Sequence, residues 1–233
     1  MTLTIVAIPS GFNSNAYPTV AEATAYFEAR YGSTDWDAGS ADNKKVALIE
    51  ASKLVDTFRF RGSKYRTEPE QPFQFPRDYQ NDVSGVIDST SLDSSNRLIV
   101  DADLAGEEYY PNDYFNYWAC EMRTGDAEFE ILLVTDFAKS TGTLTLEGDF
   151  SVAPAAGDEF RLIEKVPNEI KYATFEIANW ILSGGANDLL DPTLTNYSIG
   201  EFSEAFAKSV EAKIPARAKY FLNKYINRLG NMI

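Results

Sequence analysis

The segment ALIEASKLVDTFRFRGSKYRTEPEQPFQFPRD, residues 47–78, changes character halfway. In its first half Leu48, Ala51, Val55 and Phe58 recur at three- and four-residue spacing, with Ile49 and Leu54 beside them. That pattern predicts an amphipathic helix with one buried face. The spacing runs out at Arg59-Phe60-Arg61-Gly62, where the glycine permits the left-handed turn that ends helices. Pro69, Pro72 and Pro76 follow, and each removes a backbone donor and pushes the preceding residue into an extended conformation.

Upstream, residues 1–16 read as an arm, with a short apolar run from Leu3 to Ile8 broken by Pro9 and Gly11. A first helix is expected from Thr19, where Thr19 and Glu22 fit a capping box. Val20, Ala23, Phe27 and Tyr31 would form its buried face, and Gly32 its stop. A loop through Trp36 leads to Ser40 or Asp42 as cap of the second helix.

Downstream of Asn81 the period falls from about 3.6 to about 2. Arg97 to Val100, Tyr114 to Arg123, Glu128 to Phe137, Thr143 to Glu147 and Glu159 to Ile163 read as strands. Thr124-Gly125-Asp126 and Ser140-Thr141-Gly142 suit the turns between them. Helix resumes at Pro167, with Ile170, Ala173, Phe175, Ile177, Trp180 and Ile181 as its apolar residues and Gly184-Gly185 as its end. The next stretch is ambiguous: Tyr197-Ser198-Ile199 alternates like a strand, while Ser203 to Ala212 fits a helical turn or two, so residues 197–213 are given no single conformation. A last helix from Pro215 carries Ala218, Phe221, Leu222, Tyr225, Ile226 and Leu229 on one face, then Gly230 and an apolar tip, Met232-Ile233. The expected fold is α+β: a bundle of about four helices, residues 1–80 and 165–233, with an inserted antiparallel β-barrel or sandwich, residues 81–164.

Composition narrows the function. The chain has 233 residues, 44% of them hydrophobic and 24% charged, as a globular protein does. No apolar run approaches the eighteen or so residues of a membrane helix, so no membrane partner is expected. The N-terminus lacks the basic start and apolar core of a signal peptide. A single cysteine, Cys120, excludes an internal disulfide and reads as a small buried hydrophobe. With no histidine the chain lacks the commonest general base and metal ligand. No enzymatic activity, cofactor or metal is expected. Residues 81–164 hold eighteen acidic against four basic residues, and the rest of the chain is neutral. A surface of that kind either only keeps the protein soluble or repels phosphate.

Several constellations are weaker. Asp101 and Asp103 with Glu107 and Glu108 lack the glycine and terminal glutamate of a calcium loop. Gly184-Gly185 lacks the lysine of a phosphate loop. Arg59, Arg61, Lys64 and Arg66 form a basic cluster closely followed by Glu68, Glu70 and Asp78, which favours a salt-bridged subunit contact over nucleic acid. Tyr109, Tyr110, Tyr114, Phe115, Tyr117 and Trp118 fit strand core and interface better than base stacking in so acidic a block.

The helix, the basic-aromatic stop and Phe75-Pro76-Arg77 together resemble the head-to-tail adaptor (head-completion, connector) proteins of tailed bacteriophages. This family is also labelled DnaT-like and single-stranded-DNA-binding. The resembling blocks are Tyr17 to Asp78, with PTVAEATAYFEARYG, and Val166 onward, with VPNEIKYATFEIANWIL, Tyr197-Ser198-Ile199-Gly200 and Ile214-Pro215-Ala216-Arg217-Ala218. Phe75 stands where the family usually has tryptophan, and residues 81–164 replace a short link. GDAEFEILLVTDFAKSTGTLTLEGDFSVAPAAGDEFRLI is also similar to small β modules of phage tail proteins. The adaptor resemblance implies a virion protein of the head-tail junction, assembled in the host cytoplasm. It implies a homo-oligomeric ring, dodecameric in this class, joining the portal protein to tail or nozzle proteins. Double-stranded DNA would pass through the ring without specific binding. Leu229, Met232 and Ile233 would anchor to the portal, and Arg59, Arg61, Phe75 and Arg77 would lie at the subunit interface. The alternative label implies a single-stranded-DNA-binding protein.

Overall fold

Among the described residues six antiparallel strands dominate the fold, and the expected helical bundle is not formed. The computed structural model describes residues 3–67, 70–89, 97–185 and 214–226. The strands are β1 (Asp82–Val86), β2 (Leu98–Val100), β3 (Ala119–Met122), β4 (Ile131–Ala138), β5 (Thr143–Leu146) and β6 (Glu159–Ile163). The helices are α1 (Val20–Glu28), α2 (Thr34–Ala38), α3 (Ala41–Asp56), α4 (Ala102–Gly106), α5 (Asn168–Trp180) and α6 (Ala216–Leu222). Among the described residues only α3, with 16 residues, and α5, with 13, are longer than nine. The chain divides into two compact units, Met1–Val6 with Asn15–Arg61 and Pro167–Ile233, and Ala7–Ser14 with Gly62–Val166. This division differs from one at Asn81 and Lys165 in giving the proline-rich strap, residues 62–80, and residues 7–14 to the sheet.

The bundle fails where two segments distant in sequence pair with each other. The last helix stops at Leu222, and Phe60 and Ile226 form an isolated antiparallel bridge. The Arg61 amide donates to the Tyr225 carbonyl at 3.0 Å, so both segments leave helical geometry to pair with each other. Helix α3 likewise ends at Asp56, and Gly62, at φ +73°, turns the chain six residues later.

In the helical unit α5 packs against α3 and α6, burying Ile170, Phe175 and Ile177 against Leu48, Val55 and Leu222. Each such fully buried large side chain contributes roughly 1.5–3 kcal/mol. Helix starts follow their caps: Thr19 and Glu22 make the reciprocal capping box, and Ser40 accepts the Asn43 amide. Trp36, read as a loop residue, is buried within α2. Tyr31, read as part of a buried face, is fully exposed because α1 ends at Glu28. Among the described residues of this unit one carboxylate is buried, Glu176, which accepts hydrogen bonds from the Tyr26 hydroxyl at 2.6 Å and Arg30 at 2.7 Å, with Arg217 at 3.2 Å. Burial and that bond to Glu176 push the Tyr26 hydroxyl well above its ordinary range.

The sheet is ordered β1-β6-β3-β4-β5-β2, antiparallel throughout. It curls until Ser89, just past β1, bridges to Val100 on β2, and the Asp88 amide donates to the Val100 carbonyl at 3.0 Å. The curl encloses a core of Phe115, Trp118, Met122, Phe137, Phe160 and Leu162. Cys120 is wholly buried there, and burial raises its thiol far above the ordinary range, so it is inert packing. Gly125 and Gly142, both at positive φ, make the two turns expected of them.

Candidate functional site

The strap of residues 62–80 carries the most chemistry on the sheet unit. Pro72 and Pro76 keep it out of a helix, so its described backbone groups pair with one another and with side chains. Lys64 bridges to Arg77, the Tyr65 amide donates to the Pro76 carbonyl at 3.0 Å, and the Asp78 amide donates to the Ser63 carbonyl at 3.0 Å. Buried Gln71 fills the middle, donating to the carbonyls of Phe73 at 2.9 Å and Pro76 at 2.8 Å and accepting the Arg66 amide at 3.0 Å. Between the two limbs lies an open groove of about 500 Å³ lined by Ser63, Lys64, Thr67, Glu70, Gln74 and Arg77. Every lining side chain ends in a polar group.

Two cations face this groove. Lys64 donates to Glu70 at 2.7 Å and to the Gln71 carbonyl at 3.1 Å. That bond holds the Glu70 carboxyl below its ordinary range. Arg77 donates to the Gln74 side chain at 2.7 Å and to the Gly62 carbonyl. Glu70 is exposed, so a phosphate arriving from solvent would compete with it for Lys64.

Beneath the strap sits a buried ion network. Glu121 on β3 has no solvent exposure and receives Arg66, Arg161 at 2.8 Å and Arg123 at 3.5 Å. Phe12 lies against Arg66, 4.7 Å from guanidinium carbon to ring centre, and Ser10 takes a hydrogen bond from the Arg66 Nε at 3.4 Å. Arg161 in turn stacks on Tyr65, whose hydroxyl donates to Asp82 at 2.6 Å. Burial and that bond to Asp82 raise the Tyr65 hydroxyl well above its ordinary range.

The residues singled out in the sequence scatter. Phe75 and Arg77 are 2% and 3% exposed, engaged within their own unit. Arg59 and Arg61 are exposed in the helical unit. Leu229, Met232 and Ile233 lie outside the described residues, as does the segment 197–213. Phe115 and Trp118 belong to the core, whereas Tyr109, Tyr114 and Tyr117 face solvent from turns. Among the described residues no group of acids or cysteines could hold a metal, and no helix is long and apolar enough to cross a membrane. Sequence reasoning missed Glu121 and its link to Arg66. The available signal was a lone charge in the strand Ala119-Cys120-Glu121-Met122, in which all four residues are buried.

Charge separates the two units sharply. The sheet unit holds twenty-one acidic and eight basic residues, the helical unit fourteen and thirteen. A family model described as "Putative DnaT-like ssDNA binding protein" matches residues 1–93, about two fifths of the chain. The chain is similar to that family over this span, which contains the strap and its groove. No curated protein and no solved structure matches the chain.

Proposed function

We propose that this protein binds single-stranded DNA, and that the contact lies within residues 1–93 rather than on the strands that follow. The observation that carries this reading is the match of the DnaT-like family model to that span. The groove supplies a chemistry to go with it: Lys64 for a phosphate, hydroxyl and amide groups for sugar and base edges. Tyr79, half exposed beside Gly62, offers a stacking face at one end. The acidity of the remaining sheet opposes DNA elsewhere, so affinity should be modest and steep in salt. Anisotropy of a labelled oligothymidylate tests this. Binding in the range of about 1–100 μM at low salt, weakened by raising salt and by Lys64→Glu, is expected. Absence of any binding at low salt would overturn the reading.

A second reading is favoured by the charge itself. A protein with thirteen excess acids on one unit is suited to let DNA pass without adhering. In this reading the chain forms a ring, dodecameric in the adaptor class, that joins a portal protein to tail or nozzle proteins at the head-tail junction of a virion. Arg59 and Arg61, exposed in the helical unit, would face the neighbouring subunit, and the C-terminal residues Leu229, Met232 and Ile233 the portal. Electron microscopy of the chain with and without a portal separates the readings. A closed ring that seats on the portal supports the adaptor, and a monomer with salt-sensitive oligonucleotide affinity supports the DNA binder.

A further inference from the structure

We propose that the tyrosines of the loop before β3, Tyr109, Tyr110, Tyr114 and Tyr117, form a docking surface for an arginine- or lysine-bearing segment of a partner protein. The surface is separate from the groove and does not depend on its reading. Tyr109 is 82% exposed, Tyr114 38% and Tyr117 47%, a dense aromatic display for one loop. The rings of Tyr110 and Tyr114 are not loose. Tyr110 and Tyr114 lie 5.0 Å apart, Tyr114 is 5.0 Å from Phe115 and 5.7 Å from Trp118, and Phe115 meets Phe137 at 4.9 Å. An unbroken aromatic chain thus runs from the core through Tyr114 to Tyr110, and it fixes these two rings before any partner arrives. Tyrosines held this way lose little conformational freedom on binding, which is why they anchor interfaces.

The backbone also holds this display. Asp113 and Tyr117 sit at φ +64° and +68°, a region that side-chain-bearing residues rarely adopt. The Asp113 amide donates to the Phe137 carbonyl at 3.0 Å and the Tyr117 amide to the Val134 carbonyl at 2.8 Å, pinning the loop along β4. Backbone outliers of this kind cluster at binding surfaces.

Charge selects the partner. The loop and the facing part of β4 contribute Glu107, Glu108, Asp113 and Asp136 against one cation, Lys139, whose ammonium already donates to the Glu108 carbonyl at 3.2 Å. Asp113 and Asp136 are hydrogen-bonded to each other, and Asp136 is held above the ordinary carboxylate range, an arrangement a nearby cation would relieve. Tyrosine faces ringed by carboxylates attract guanidinium and ammonium groups through both the ring and the charge. The same surface repels a phosphate backbone, so stacked nucleotides do not fit it.

The test uses the full chain and a fluorescein-labelled peptide of alternating arginine and glycine, followed by anisotropy at low salt. Tyr109→Ala with Tyr117→Ala should weaken binding about tenfold or more. Asp126→Asn with Glu128→Gln, exposed acids elsewhere on the same unit, should change it less than about twofold. Equal losses in the two variants would reduce the effect to bulk charge and overturn the proposal, as would failure of the wild-type chain to bind. Displacement of the peptide by oligothymidylate at equal concentration would also overturn it, in favour of base stacking. Tyr109→Ala alone, at a side chain facing solvent, keeps the test decisive if the double variant fails to fold.

Discussion

Arg66 and Glu121, 55 residues apart in sequence, form an ion pair in which the two side chains are 7% and 0% exposed. The pair ties the strap to the middle of the sheet, and Arg161 completes it from β6. Removing one member of such a pair leaves a buried charge without its counter-ion.

Arg66→Ala should therefore destabilise the protein by about 3–5 kcal/mol, more than the loss of an exposed pair such as Lys53 with Glu50, worth about 0–1 kcal/mol. Urea unfolding followed by tryptophan fluorescence measures the difference. A loss below about 1 kcal/mol would mean that Arg161 and Arg123 suffice for Glu121.

Gly142→Ala tests the turn between β4 and β5. A methyl group built there would lie 1.8 Å from the Asp101 carbonyl oxygen, at φ +64°. The backbone must shift, and the expected loss is at least about 1–3 kcal/mol. The urea midpoint should fall at unchanged slope.

In the helical unit, burial and a hydrogen bond to Glu169 push the Tyr225 hydroxyl up to about 12. The folded state thus favours the protonated phenol. Its contribution is complete below the ordinary tyrosine value of about 10 and is lost as pH rises through about 12. Tyr225→Phe should flatten the fall of thermal stability between pH 10 and 12 and leave stability at pH 7 to 9 parallel to wild type. An unchanged alkaline slope would show that Tyr225 does not titrate as its surroundings dictate.

Excision of 81–164 with a short glycine-serine bridge joins residues already in contact, since the Gln80 side-chain amide donates to the Lys165 carbonyl at 2.9 Å. The helical signal in circular dichroism should survive. The strap should not, because it loses Glu121, and trypsin should cut after Arg66 or Arg77, which are buried in the intact chain. Protection of both sites would place the strap's support elsewhere.

How far the sequence could be read depended on how local the determining contacts are. Strands β2, β5 and β6 were legible because alternation records a face buried within the same few residues, and β6 matches its expected bounds, Glu159 to Ile163. The strand expected from Tyr114 to Arg123, by contrast, forms only at Ala119–Met122, after turns. Strand β1 was not legible, since Asp82-Val83-Ser84-Gly85-Val86 carries little apolar alternation and its register comes from β6. The fold class was misjudged for the same reason. Four amphipathic stretches suggested a bundle, but pairing of Phe60 with Ile226 and of Arg66 with Glu121 lies far outside any helical window. The groove was invisible because Lys64 and Arg77 meet only once the prolines fold the strap back on itself. Cys120, by contrast, needed only its apolar neighbours to be read as buried.

The antiparallel pairing of β1 with β6 has a mechanical consequence. Successive rungs link Gln80 to Lys165, Asn81 to Glu164 and Asp82 to Ile163, beginning where the chain joins the rest of the protein. Tension applied at those two junctions acts along the hydrogen bonds, which in an antiparallel ladder stand across the strands. The rungs then yield one after another instead of sharing the load. Single-molecule pulling from Gln80 and Lys165 should open the sheet at lower force than pulling along β4 from its two ends, making this pair the seam through which the unit comes apart under strain.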